Sequence, residues 1–228
     1  MKGEGALNEL DRAVTLHRTA DGLYAQRDFA AATKLYKEAM TGYERSSGKQ
    51  SMEIACCFCQ LGKIHMSQKN WALAEPLISR ALALDEKYSG PHSYVTGHLS
   101  GMLATVYYNR GKFDQALPLY QKALAIYEKQ APELANCSGR ARMAFQLANI
   151  YYKRKDYVDA EPLYKLSIKL YSQSDVDPPH YLSVYRSLEA LLRTKNRSAE
   201  ADEIARQEKA MMKTARRGKA LDEADQNY

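Results

Sequence analysis

Three of the four cysteines stand in one run, Cys56-Cys57-Phe58-Cys59, and thiols at that density are the first place to look for chemistry. Cys56 and Cys59 share a face if the segment is helical, where they could hold a soft metal or oxidise. A structural zinc site wants four ligands, commonly as two spaced pairs, and the sequence offers no second pair. The run is therefore expected to act as small buried apolar residues, with Cys137, in a linker, as the more exposed thiol. The five histidines do not cluster: His92 and His180 fall in linkers, and His17, His65 and His98 are scattered. No Gly-rich phosphate loop, HExxH or GxSxG element occurs, and no spacing brings Ser, His and an acid together. The expectation is a chain without catalytic residues, cofactor or metal.

Composition narrows the class. The 228 residues are 45% hydrophobic and 26% charged, and 12 Gly with 7 Pro are too few for a low-complexity chain. No apolar run approaches the roughly 18–20 residues that span a bilayer, so no membrane span is expected. Met1-Lys2-Gly3-Glu4-Gly5 does not read as a secretory start, and clustered thiols are not a secreted disulfide framework. A cytoplasmic setting is expected, which makes the sequons at Asn136 and Asn196 chance matches. The net charge of +6 suggests a nucleic-acid partner until it is located. Between Arg193 and Lys219 nine Lys/Arg stand against four Asp/Glu, so nearly all of the excess sits in one segment.

Self-similarity decides the elements that position these residues. Leu103 through Ala116 and Leu147 through Ala160 superpose on Leu61 through Ala74, and the anchors Gly62, Ala104 and Ala148 are 42 and 44 residues apart. The frame reaches back 42 residues to Ala20 and forward 41 to Glu189, giving four clear units and a less regular capping fifth. Each unit predicts two antiparallel helices. Leu103, Ala104 and Tyr107 lie on one face of the first. Asn109-Arg110-Gly111-Lys112 breaks it, with Gly111 free to take the left-handed conformation that ends a helix. Ala116, Leu119, Tyr120, Ala123, Leu124 and Tyr127 form the buried stripe of the second. The small pairs Ala20/Ala32, Gly62/Ala74, Ala104/Ala116 and Ala148/Ala160 let the two backbones approach, and Phe29, Trp71, Phe113 and Tyr157 fill the next gap. A proline recurs at one phase of the second helix (Pro76, Pro118, Pro162), early enough that its missing N–H costs little.

This small–Tyr–Gly–aromatic–Ala–Tyr–Ala pattern resembles the tetratricopeptide repeat. Ala74-Glu75-Pro76-Leu77, Ala116-Leu117-Pro118-Leu119-Tyr120 and Ala160-Glu161-Pro162-Leu163-Tyr164 are similar to the kinesin light chain subtype, with its longer period of about 42 residues. The linkers Gly90-Pro91-His92 and Asp177-Pro178-Pro179-His180 fit it too. The resemblance implies an all-α right-handed α-solenoid of antiparallel helix pairs over residues 12–212, between an N-terminal extension (1–11) and a charged C-terminal tail (213–228). It also implies that the first helices line a concave groove, and that His65 replaces a usual core tyrosine. The implied function is a non-catalytic adaptor or scaffold that binds a partner protein or peptide.

Residues at i, i+4 and i+7 of the first helices share the groove face. The rows are His17/Asp21/Tyr24, Cys59/Lys63/Met66, Gly101/Thr105/Tyr108, Phe145/Asn149/Tyr152 and Arg186/Ala190/Arg193. They suit a peptide with apolar anchors and acidic residues. Candidate contacts are Tyr24, Met66, Tyr108, Phe145 and Tyr152 for apolar groups. Gln146 and Asn149 would bond peptide backbone, and Lys63, Arg186 and Arg193 would supply charge. Tyrosines here also pack between neighbouring helices whatever the repeat binds. The clamp that holds dicarboxylate chaperone tails is missing, since Asp21 stands where it would repel a carboxylate. The backbone-bonding Asn of kinesin light chains is replaced by Gln60, Met102 and Gln146. The alternatives are self-association of a chain otherwise expected to be monomeric, and stacking of single-stranded nucleic acid, which the localised charge disfavours.

Overall fold

The computed structural model describes residues 2–47, 51–129, 137–173 and 182–225, with side chains described over 9–46, 51–129, 137–173 and 182–213. All described elements are helices. They are α1 Lys2–Ala25, α2 Phe29–Ser47, α3 Met52–Ser67, α4 Trp71–Ser89, α5 Tyr94–Asn109, α6 Phe113–Lys129, α7 Cys137–Lys153, α8 Tyr157–Ser172, α9 Leu182–Thr194 and α10 Ser198–Asp225. Consecutive helices pack as five hairpins, the all-α solenoid architecture that the period implies. Among the described residues no helix is long and apolar enough to cross a membrane.

The hairpin turns share one geometry. Each first helix ends on a left-handed residue: Arg27 (φ 64°), Lys69 (60°), Gly111 (75°), Lys155 (66°) and Asn196 (57°). Around each, two backbone bonds close a Schellman motif, as in Gly111 N–H to Tyr108 O (3.0 Å) and Lys112 N–H to Tyr107 O (2.9 Å). Glycine takes this conformation freely, whereas arginine and lysine hold it against about 1 kcal/mol of steric resistance.

The chain forms two compact units, residues 1–129 and 130–228. Unit 1 contains three hairpins, α1/α2, α3/α4 and α5/α6. Ala20, Ala32, Ala74, Ala104 and Ala116 are all fully buried at the close approaches within its hairpins. The second hairpin has glycine at this position, and a Cβ on Gly62 would lie 2.7 Å from Ile78 Cγ1. Between hairpins the core is filled by Ile54, Phe58, Ile78, Leu99 and Leu103. Pro76 and Pro118 lie inside unbroken helices, as their phase predicts. The α4–α5 linker is organised by a carboxylate: Asp85 is almost completely buried, and accepts bonds from Ser89 Oγ (2.9 Å), Ser93 Oγ (3.0 Å) and Thr96 Oγ1 (2.7 Å). Ser93 also caps α5 by accepting from Thr96 N–H.

Unit 2 contains α7/α8 and α9/α10. Ala148, Ala160, Tyr164, Val184, Leu188 and Leu191 form its centre. Glu161 on α8 reaches the turn of the following hairpin, accepting from Lys195 Nζ (3.0 Å) and Arg197 Nη1 (2.6 Å), and from Lys165 Nζ (2.7 Å) on its own helix. Burial raises its pKa, but the three cations outweigh that and hold it down at about 2. Glu75 does the same in unit 1, pairing with Arg110 and Lys112 in the next turn. This clasp between a second helix and the following turn is thus present in both units.

Candidate functional site

The first-helix face is shaped by what the second helix of the same hairpin sends toward it. Tyr36, Tyr120 and Tyr164 are the largest fully buried side chains, each worth roughly 2–3 kcal/mol in buried area. A buried phenol needs a partner. Each finds it fifteen residues back, at the middle of the face row: Tyr36 OH donates to Asp21 Oδ1 (2.6 Å), Tyr120 OH to Thr105 Oγ1 (3.1 Å) and Tyr164 OH to Asn149 Oδ1 (2.7 Å). Burial and the Asp21 carboxylate together push the Tyr36 phenol far above its ordinary range. Asn149 therefore spends its carbonyl internally and keeps only its amide N–H₂ for another group.

The second hairpin breaks the rule. Ile78 replaces the tyrosine, and the row residue facing it in the repeat frame is Lys63. Among the described residues nothing pairs with the half-buried Lys63 ammonium. Beside it, Gln60 donates from Nε2 to Asp21 Oδ1 (3.1 Å) across to α1, while its buried Oε1 has no partner.

The outer rows are occupied differently. Tyr24 packs at a tilt against Phe29 (5.7 Å between centroids), Tyr108 edge-on against Phe113 (5.5 Å) and Tyr152 at a tilt against Tyr157 (5.5 Å). All three rings are half-buried, so each braces its own turn and keeps one edge open. Met66 packs on the unit 1 core. Phe145 lies 6.0 Å from the Tyr164 ring, and Gln146 is half-buried next to it on α7. Arg186 bonds Glu208 (2.9 Å), and Arg193 bonds Glu189 (2.9 Å) and Asp202 (3.0 Å), so both arginines already have carboxylate partners on α9 and α10. Exposed pairs of this kind add little to stability, and a ligand carboxylate could exchange into them.

Two recesses open on the unit 1 face. One of about 330 Å³ lies between α1 and α3, bordered by Val14, His17, Asp21, Tyr43 and Cys56. The other, about 150 Å³, lies between α3 and α5, with Cys56, Cys59, Gln60, Lys63, Val95 and Leu99 in its walls. Val14 and Val95 are 40% and 48% exposed there. His17 is held edge-on to Tyr36 and Tyr43.

The cysteines correct one expectation. Only Cys57 is a fully buried apolar-type residue, its thiol pushed up to about 12 by burial and then by neighbouring negative charge. Cys56 is exposed, Cys59 half-exposed, and Cys137, expected to be the open thiol, is partly covered at the start of α7. One helical register explains the difference: neighbouring residues are about 100° apart around a helix, which leaves Cys56 toward solvent and turns Cys57 into the core. Burial raises the Cys56 and Cys59 pKa values, and Lys63 opposes it at both. Among the described residues no group of three or more His, Cys, Asp or Glu could hold a metal ion.

Three family models described as tetratricopeptide repeat match the chain, over residues 12–51, 53–129 and 102–175. No curated protein sequence matches it. Among solved structures, nearly identical repeats of a kinesin light chain type from Podosopora anserina are 17% identical, with a TM-score of 0.69, covering 91% of this chain and 98% of that one. BtubC (BKLC) from P. vanneervenii is 17% identical with a TM-score of 0.72, covering 92% and 89%. MamA from Desulfovibrio magneticus is 14% identical with a TM-score of 0.66, covering 90% and 97%. At these identities the likeness is one of fold.

Proposed function

The chain belongs to the tetratricopeptide-repeat family, and on that premise we propose that it is a non-catalytic adaptor whose first-helix faces hold a partner polypeptide with apolar and acidic side chains. The observation that carries the reading is the unclaimed Lys63 ammonium at the mouth of an apolar recess, with Val95 and Cys56 exposed beside it. Lys63 has no ion pair among the described residues, so a ligand carboxylate gains a charge-assisted bond without breaking an internal one. In unit 2, Phe145 and Tyr152 offer ring edges, Asn149 offers amide donors, and Arg186 and Arg193 offer guanidinium groups that can exchange partners.

Charge distribution favours a protein partner over nucleic acid. Several cations are matched to a carboxylate on another helix, as in Arg45–Glu9, Lys122–Glu86 and Arg186–Glu208, and nearly all of the net positive charge sits between Arg193 and Lys219. A polyanion gains little from charges that are already neutralised locally.

The test is fluorescence anisotropy with labelled dodecamers that carry Leu or Trp flanked by Asp and Glu, beside a matched set with Lys in place of the acids. The acidic set should bind, and Lys63→Glu should weaken it by at least about tenfold, or 1.4 kcal/mol. Equal binding of both sets, or an unchanged affinity in Lys63→Glu, contradicts the reading.

A further inference from the structure

The sulfur atoms of unit 1 are not distributed at random. Met52, Cys56 and Cys59 are spaced i, i+4 and i+7 along α3, on the side opposite the buried Cys57, and all three line the recess of about 150 Å³ between α3 and α5. Positions three and four apart on a helix have Cβ atoms about 5–6 Å apart, within reach of one ion held between two thiolates. We propose that these three side chains form a binding site for a soft monovalent metal, taking Cu(I) between the Cys56 and Cys59 thiolates with the Met52 thioether as third donor.

Three observations select Cu(I) over the commoner divalent ions. Thiolate and thioether donors are soft, the class that favours Cu(I), and two or three of them suffice for it. A tetrahedral divalent ion such as Zn(II) would need four donors, and no third His, Cys, Asp or Glu joins the two thiols among the described residues. The surrounding groups are the third: Lys63 is close enough to act on both thiols and offsets one charge of a Cu(I) dithiolate, while the Asp85 carboxylate in the same wall is already engaged by Ser89, Ser93 and Thr96. Ala55, Val95 and Leu99 make much of the remaining wall apolar, beside Gln60 and Asp85. Cys56 is exposed, which gives the ion an entry path. Binding converts two thiols to thiolates and releases two protons to solvent, with no change in the oxidation state of copper or sulfur.

The full chain, reduced and kept anaerobic, is titrated into the coloured Cu(I) complex of bicinchoninate. One equivalent of Cu(I) should be withdrawn, and Cys56→Ser or Cys59→Ser should each lower affinity by at least about a hundredfold. Met52→Leu should lower it about tenfold, and Cys137→Ser should leave it unchanged. Circular dichroism melts establish that each variant is folded. A second measurement needs no variant: one equivalent of Cu(I), but not of Zn(II), should protect Cys56 and Cys59 from iodoacetamide, read by peptide mass. An intact bicinchoninate complex, or full withdrawal of copper by the folded Cys56→Ser/Cys59→Ser chain, overturns the assignment.

Discussion

The second and fourth hairpins carry the same repeat and present opposite faces. In the fourth, Ala148 lies at the close approach, Tyr164 fills the space behind it, and the phenol ties down Asn149. In the second, Gly62 takes the place of the alanine, Ile78 fills the space, and Lys63 has no partner among the described residues. A face position thus becomes available to a ligand through what its second helix no longer offers. The other features are shared: both hairpins turn on a lysine in the left-handed region, Lys69 and Lys155, and both send a glutamate to the following turn.

The shared clasp gives the largest expected effect. Glu161→Gln strands Lys195 and weakens the hold on Arg197, and should cost about 2–3 kcal/mol in urea unfolding. The more accessible Glu75→Gln should cost about 1 kcal/mol. The folded-state pKa of Glu161 lies below the ordinary value, so its contribution is complete above pH 4.5 and is lost as pH falls toward about 2. Stability curves of wild type and Glu161→Gln should therefore converge across that window. Curves that stay parallel would detach the clasp from its charge.

A double-mutant cycle addresses the contrast itself. Gly62→Ala alone crowds Ile78 and should destabilise by about 1–2 kcal/mol net of the gain in helix propensity. Adding Ile78→Tyr rebuilds the small-plus-tyrosine pattern of the other hairpins, and should recover at least half of that loss in thermal melts. Independent, additive costs would mean that the two positions are not coupled.

In the fourth hairpin, Tyr164→Phe should cost about 1 kcal/mol, the net worth of one buried hydrogen bond. It should also free Asn149 and so strengthen peptide binding slightly, measurable by the same anisotropy assay. The smallest effect belongs to the turns. Lys155→Gly relieves a left-handed lysine and should stabilise by roughly 0.5 kcal/mol, whereas Gly111→Ala should destabilise by about 1 kcal/mol.

Much of this was legible in the residues, and what was missed has a common cause. Spacing alone found the five hairpins, the small pairs at their crossings and the left-handed Gly111. It did not find the same conformation at Arg27, Lys69 and Lys155, because helix-end geometry was imposed there on residues that do not prefer it. The tyrosine tie left a signal that periodicity within one helix does not reveal: Tyr36, Tyr120 and Tyr164 recur with a polar residue fifteen positions earlier, and both change together at Lys63 and Ile78. The pairing of Arg186 and Arg193 depends on which face α10 turns toward α9, and the weak apolar pattern of α10 does not specify that. The Asp85 network needs a serine from the linker and a threonine from the next helix, a convergence visible only in three dimensions.

The proposal is that the second hairpin receives the ligand because no described residue pairs with Lys63. Calorimetry of one acidic, Leu-containing peptide with wild type, the Gly62→Ala/Ile78→Tyr chain and Arg193→Gln tests it most directly. Binding should weaken about tenfold when the tyrosine is installed and by no more than about twofold in Arg193→Gln. Full affinity in the tyrosine-bearing chain, with loss in Arg193→Gln, would place the site on α9 instead.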